Sequence, residues 1–238
     1  MKNGHQYRMA IVILLMFSLA CSIEDPVSSG GGSQFGTTID LLALGDSYTI
    51  GQGVSAAESW PAQLKNRLVE QGIIVDKVKI IASTGWSTRS LLNAIRSEDL
   101  GTLNTNRLVS LQIGVNNQYQ QLPFEEFKDD FDFLLDTAIQ LADLPERVFV
   151  VSIPDYSVTP FAKDNGFDVE KISQEIEAYN LFMANRCKEL DITFINVTET
   201  SRELGDSDGA LSDGLHPSAY QYGRWVEIIL PYVTTILI

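Results

Sequence analysis

Ile39-Asp40-Leu41-Leu42-Ala43-Leu44-Gly45-Asp46-Ser47-Tyr48-Thr49 is the stretch on which the reading of this chain turns. Ile39 to Leu44 is a short apolar run ended by Gly45, bounded by polar residues on both sides. An apolar run of this length, without alternation, suits a strand covered on both faces. Four more runs follow: Val78 to Ala82, Leu108 to Ile113, Val148 to Ile153 and Ile192 to Val197. Between and after them lie stretches with apolar residues at helical spacing. Trp60 to Glu70 has Trp60, Leu64 and Leu68; Glu125 to Leu141 has Phe127, Phe131, Leu134, Leu135, Ala138 and Leu141. Glu170 to Glu189 has Ile172, Ile176, Tyr179, Met183 and Cys187; Pro217 to Ile229 has Tyr222, Trp225, Val226 and Ile229. These stripes read as core packing. Strands alternating with helices predict an α/β fold: a five-stranded parallel sheet in a three-layer α/β/α sandwich of flavodoxin-like type. In such sheets ligands bind beyond the carboxyl ends of the strands.

Upstream of this stretch the composition changes. Lys2 and Arg8 precede the apolar run Met9 to Ala20, and Ser18-Leu19-Ala20-Cys21 follows. The run is short of the roughly 20 apolar residues a spanning helix needs, and it has the parts of an export signal. Its end resembles a bacterial lipobox, which implies cleavage after residue 20 and a lipid on Cys21; Ser18 stands where leucine is most common. Ordinary secretion is the alternative. Ser28-Ser29-Gly30-Gly31-Gly32-Ser33 reads as flexible tether. The expected organisation is a signal peptide at 1–20, a tether at 21–37 and one folded domain at 38–238. The expected location is a bacterial cell envelope, with the anchor at Cys21 as the membrane contact. The formal charge of -14 becomes two units more negative once Lys2 and Arg8 are removed. That balance argues against nucleic acid as a partner.

Gly45 permits a tight exit from the first strand, which would leave Ser47 at the sheet edge. Asp46 and Ser47 are also compatible with a simple helix cap. Of the two histidines, His5 lies in the leader and His216 in Asp213-Gly214-Leu215-His216-Pro217. An imidazole with a carboxylate three residues earlier is the pair that a nucleophilic serine requires. Cys187 reads as a small buried core residue. The usual zinc ligand sets are absent, no Gly-rich phosphate loop follows a strand, and no cofactor is implied.

Two further segments follow strand runs: Ala82-Ser83-Thr84-Gly85-Trp86 and Gln112-Ile113-Gly114-Val115-Asn116-Asn117. With Ser47 and His216 they make the chain resemble the SGNH hydrolases, or GDSL-type esterases and lipases, from about Leu41 to Pro231. The resemblance implies Ser47 as nucleophile, His216 as base and Asp213 as its partner. It implies an oxyanion hole from Ser47 N–H, Gly85 N–H and the Asn116 amide. The third block usually reads Gly-x-Asn-Asp, and Asn117 stands here in place of the acid. Trp86, Asn117, Tyr119 and Tyr156, with Phe161, are candidate pocket residues, each equally compatible with ordinary packing. Asp46 either hydrogen-bonds the loop backbone or tunes the site, and Asp155 reads as a loop cap. The substrate class expected is a carbohydrate O-acyl ester or a lipid or lysophospholipid ester. A non-catalytic ligand-binding lipoprotein on the same fold is the competing expectation.

Overall fold

Five strands form one parallel sheet in the order β2-β1-β3-β4-β5. They are β1 (Ile39–Gly45), β2 (Val75–Ala82), β3 (Arg107–Gln112), β4 (Val148–Val151) and β5 (Thr193–Ile195). The computed structural model describes Met1 and residues 38–101, 103, 105–204 and 213–238. Apart from Met1, the expected signal segment and tether lie outside the described residues.

All seven residues of β1 are buried, as expected of a strand with neighbours on both edges and helices on both faces. Register aligns the strand ends: Gly45 sits opposite Ala82 on one side and Gln112 on the other. The segments that follow these three strands therefore leave the sheet together. β2 starts three residues before the apolar run, at Val75, because it is an edge strand that exposes Asp76 and Lys77. β4 and β5 are shorter than their apolar runs. Beyond Val151 the Asn180 side chain takes over from the ladder, accepting from Ile153 N–H at 2.9 Å and donating to Ile153 O at 3.0 Å.

The helices are α1 (Ser47–Ile50), α2 (Trp60–Glu70), α3 (Thr88–Ser97), α4 (Val115–Tyr119), α5 (Phe124–Ala142), α6 (Pro160–Asp164), α7 (Val169–Glu189), α8 (Thr198–Leu204) and α9 (Ala219–Leu237). α2 and α9 pack together on one side of the sheet; α3, α5 and α7 form the other layer. This division follows from right-handed crossovers. The step from β1 to β2 runs one way along the sheet, and every later step runs the other way. Four long helices match the sequence stripes closely. α9 starts two residues later than expected, where Ser218 accepts from Gln221 N–H at 3.3 Å. It continues through Pro231 because Leu230 and Val233 are buried on its inner face.

The core is led by Trp60, Trp225, Tyr222, Phe127, Phe131 and Phe149. Cys187 is fully buried in α7, and burial pushes its thiol up to about 12, which leaves it a packing residue. No helix among the described residues is long and apolar enough to cross a membrane.

Candidate active site

Ser47 opens α1 directly beyond β1. Its position depends on Gly45: a Cβ there would lie 2.0 Å from Thr49 Oγ1 and 2.6 Å from the Gln112 carbonyl oxygen. Only glycine lets β1 and the first turn of α1 approach so closely. Asp46 caps that turn, its Oδ1 accepting from Tyr48 N–H at 3.0 Å. Its other oxygen faces Asn116 Nδ2 at 3.4 Å. Asp46 is fully buried, and desolvation pushes its pKa up to about 7 against the opposing hydrogen bonds from Tyr48 and Asn116. The carboxylate thus both caps the backbone and touches a site residue.

Gly85 follows β2 with φ +76°, a backbone conformation that residues other than glycine rarely adopt. Asn116 lies on α4, and its amide nitrogen donates to Trp86 O at 3.1 Å as well as facing Asp46. Asn117 turns the other way. It accepts from Thr88 N–H at 3.0 Å and donates to Thr88 Oγ1 at 2.8 Å. Thr88 Oγ1 in turn donates to Asp130 at 3.2 Å, and Arg89 Nε donates to the same carboxylate oxygen at 3.1 Å. An acid at 117 would accept from the Thr88 hydroxyl and compete with Asp130 for it. The amide donates instead, so the hydroxyl stays free to bond Asp130.

Asp213 and His216 form a tight turn. Asp213 Oδ1 accepts from Leu215 N–H at 2.9 Å and His216 N–H at 3.0 Å, and Oδ2 lies 2.7 Å from His216 Nδ1. Partial burial raises the Asp213 pKa, but the His216 ring and the two backbone donors outweigh it and hold the carboxyl below its ordinary value. His216 is buried, with its ring 5.7 Å from that of Tyr48. Within this turn Gly214 has φ +68°, and its carbonyl accepts from Phe161 N–H at 2.9 Å. A Cβ on Gly214 would sit 3.3 Å from Phe161 N and from Pro160 Cβ. α6 therefore braces the turn that carries the imidazole.

These segments line an open cavity of about 190 Å³. Ser47, Thr84, Gly85, Asn116 and His216 provide its polar wall. Tyr48, Val115, Tyr119, Tyr156, Phe161 and Leu215 provide the rest. The His216 side chain bonds to Asp213, and Ser47 shares the cavity with it rather than a hydrogen bond. Tyr156 OH donates to Gln118 Oε1 at 2.9 Å, which fixes the ring against the cavity.

Ser47, Gly85, Asn116, His216, Tyr119 and Tyr156 thus meet at one cavity, and Asp213 stands behind His216. Trp86 and Asn117, read from sequence as pocket candidates, do not line it. The Trp86 side chain packs on the core and contributes only its carbonyl to Asn116. Asn117 is consumed by Thr88. Tyr48, Thr84, Val115 and Leu215 were not among the sequence candidates. Each is the immediate neighbour of a motif residue, and that adjacency is the signal that would find them. Asp155 is the loop cap expected, accepting from Ser157 N–H at 3.0 Å, Ser173 Oγ at 2.7 Å and Arg202 Nε at 2.9 Å.

A serine at a strand end and a carboxylate-bound imidazole facing one cavity are the parts of a hydrolase. The chain belongs to the GDSL-like lipase/acylhydrolase family, whose profile matches residues 43–224; it is an enzyme of the ester-hydrolysing class. No curated protein matches it in sequence. Solved structures share its fold. A family 3 carbohydrate esterase of Clostridium thermocellum is 20% identical, with a TM-score of 0.64 over 84% of this chain and 97% of that one. A lipase/acylhydrolase of Enterococcus faecalis is 17% identical, with the same TM-score and the same coverages. The esterase EstA of Pseudoalteromonas sp. is 16% identical, with a TM-score of 0.61 over 82% of this chain and 97% of that one.

Proposed function

We propose that the enzyme is a serine esterase acting at the cell envelope on short-chain carboxylic esters. Ser47 Oγ attacks the ester carbonyl, and His216 Nε2 takes its proton. Asp213 holds the tautomer with the proton on Nδ1 and stabilises the imidazolium that forms. The tetrahedral oxyanion is received by the N–H groups of Ser47 and Gly85 and by Asn116 Nδ2, which exchanges its long contact to Asp46 for the substrate oxygen. His216 then protonates the leaving alcohol, and water resolves the acyl-enzyme. Hydrogen bonds between nucleophile and base commonly tighten only when substrate is bound. The observation that carries this reading is the Asp213–His216 pair at 2.7 Å, at the cavity that also holds Ser47.

The acyl length follows from volume. A cavity of about 190 Å³ is below the roughly 300–1,000 Å³ of drug-sized sites. A pocket this small favours short acyl groups over a palmitoyl chain. The envelope location rests on the export signal and on the lipobox resemblance at Cys21; mass spectrometry of the N-terminal fragment tests it.

The chemistry is tested by hydrolysis of p-nitrophenyl esters from acetate to palmitate, with Ser47→Ala as the control. Ser47-dependent turnover that falls with acyl length is expected. If wild type gives no turnover and a fluorophosphonate leaves Ser47 unlabelled, the protein is instead a binding lipoprotein on this fold.

A further inference from the structure

The mouth of the cavity has a chemistry that the acyl pocket does not use. Tyr119 lines the cavity yet is 47% exposed. It is the centre of an aromatic group, with ring centroids 6.1 Å from Tyr156, 6.3 Å from Phe161 and 6.3 Å from Phe167. Tyr156 is buried, whereas Phe167 is itself 36% exposed. An aromatic side chain half in water at the lip of a cleft keeps apolar surface available for a ligand.

The polar side chains described as lining the cavity are neutral. Of the carboxamides beside Tyr119 in sequence, Asn117 is held by Thr88 and Gln118 by Tyr156 and Glu175, while Asn116 lines the cavity. Gln120 reaches the mouth, donating to Gly85 O at 2.8 Å. Thr84 Oγ1 bonds to Gln52 Oε1 beside it. Among the described residues that line the cavity, none is Lys, Arg, Asp or Glu, and the chain as a whole is strongly acidic. An anionic leaving group, such as a phospholipid head or a nucleotide-bearing thiol, would find no cation among the described lining residues.

We infer that the mouth is a carbohydrate subsite, in which Tyr119 stacks on the C–H face of a neutral pyranose ring and Gln120 and Thr84 exchange hydrogen bonds with its hydroxyls. The combination suits a sugar: one face is apolar enough to stack on an aromatic ring, and the rim hydroxyls bond to a carboxamide and a hydroxyl, each both donor and acceptor. This assignment rests on the esterase reading and names the alcohol side of its substrate. The ester enters with its short acyl group in the cavity and its sugar on Tyr119.

The test measures acetate release by the full chain from two neutral esters, peracetylated methyl glucoside and triacetin. Both carry several acetyl groups, and only the first has a ring to stack. Tyr119→Ala is expected to lower kcat/KM for the glucoside by about five- to tenfold more than for triacetin, mainly through KM. Tyr119→Phe keeps the stacking face and is expected to restore the glucoside to within about twofold. Equal losses on both esters, or no loss on the glucoside, overturn the subsite. A Tyr119→Ala enzyme that gains on tricaprylin would mean that the mouth holds acyl chain, and also overturns it. The parent reading is separated by Ser47→Ala. If triacetin hydrolysis survives that change, the serine mechanism fails; if it is lost while Tyr119 proves irrelevant to the glucoside, only the subsite fails.

Discussion

The two walls of the cavity are built differently. On the nucleophile side, Ser47 sits on a turn welded to the sheet: Gly45 is in contact with Thr49 and the β3 backbone, Asp46 is fully buried, and Asn117, Thr88, Asp130 and Arg89 lock α3 to α4 behind it. On the base side, a four-residue turn holds His216 by its own carboxylate, and the side chain of that carboxylate is 42% exposed. A backbone brace comes from Phe161 N–H on Gly214 O. The nucleophile is thus positioned by the same packing that stabilises the domain. The base is positioned by local hydrogen bonds, which can change with little effect on the fold.

The sharpest way to break this comparison is Asp213→Asn. It preserves the shape of the turn and removes the charge that fixes the imidazole tautomer. The expected loss is about 10⁴-fold in kcat, the size known for this change in a serine protease triad. Urea unfolding should stay within about 1 kcal/mol of wild type, as for other partly exposed positions. A large stability loss would show that the base side is as deeply built in as the other.

Paired glycine substitutions sharpen it next. Gly45→Ala forces a Cβ into Thr49 and a backbone carbonyl, so a destabilisation of about 4 kcal/mol or more is expected. Gly214→Ala must hold φ +68°, which costs about 1–2 kcal/mol, and its main effect should be on kcat. Denaturant melts and kinetics on both variants decide the ranking, and equal melts would collapse it.

Asp46 offers a pH test of the buried wall. Its folded pKa of about 7 lies above the unfolded value near 3.9. The folded chain holds a proton that the unfolded chain has released between these values. Stability from this group is therefore lost as pH rises from about 4 to about 7. Asp46→Asn should flatten that slope, shrinking the difference between unfolding free energies at pH 4.5 and pH 8 by about 3 kcal/mol at most. An unchanged slope would mean that the carboxyl ionises freely in the folded chain.

The smallest effect is expected at Asn117→Asp. It sets a second carboxylate to compete with Asp130 for the Thr88 hydroxyl, at a cost of about 1 kcal/mol. A more stable variant would show that the amide has no advantage here.

Much of this could be read before any fold was seen. The runs that became β1, β3 and β4 were legible because strands buried on both faces need apolar residues at every position. The first residues of β2 were not, since an edge strand can expose Asp76 and Lys77 without cost. α3 was missed as well: its apolar set, Leu91, Leu92 and Ile95, is too short to show a period. Ser47 and the Asp213–His216 pair stood out because their spacing is local and their chemistry is distinctive.

By itself, then, the sequence determined the alternation of strand and helix, the strand-end position of Ser47 and the turn that joins Asp213 to His216. Each depends on residues within a few positions of one another. Only the tertiary structure decided which neighbours face the cavity. It packed Trp86 against the core and turned Asn117 onto Thr88, and it brought Phe161 against Gly214 across more than fifty residues. Such contacts are set by the crossing of elements distant in the chain, where no local pattern can record them.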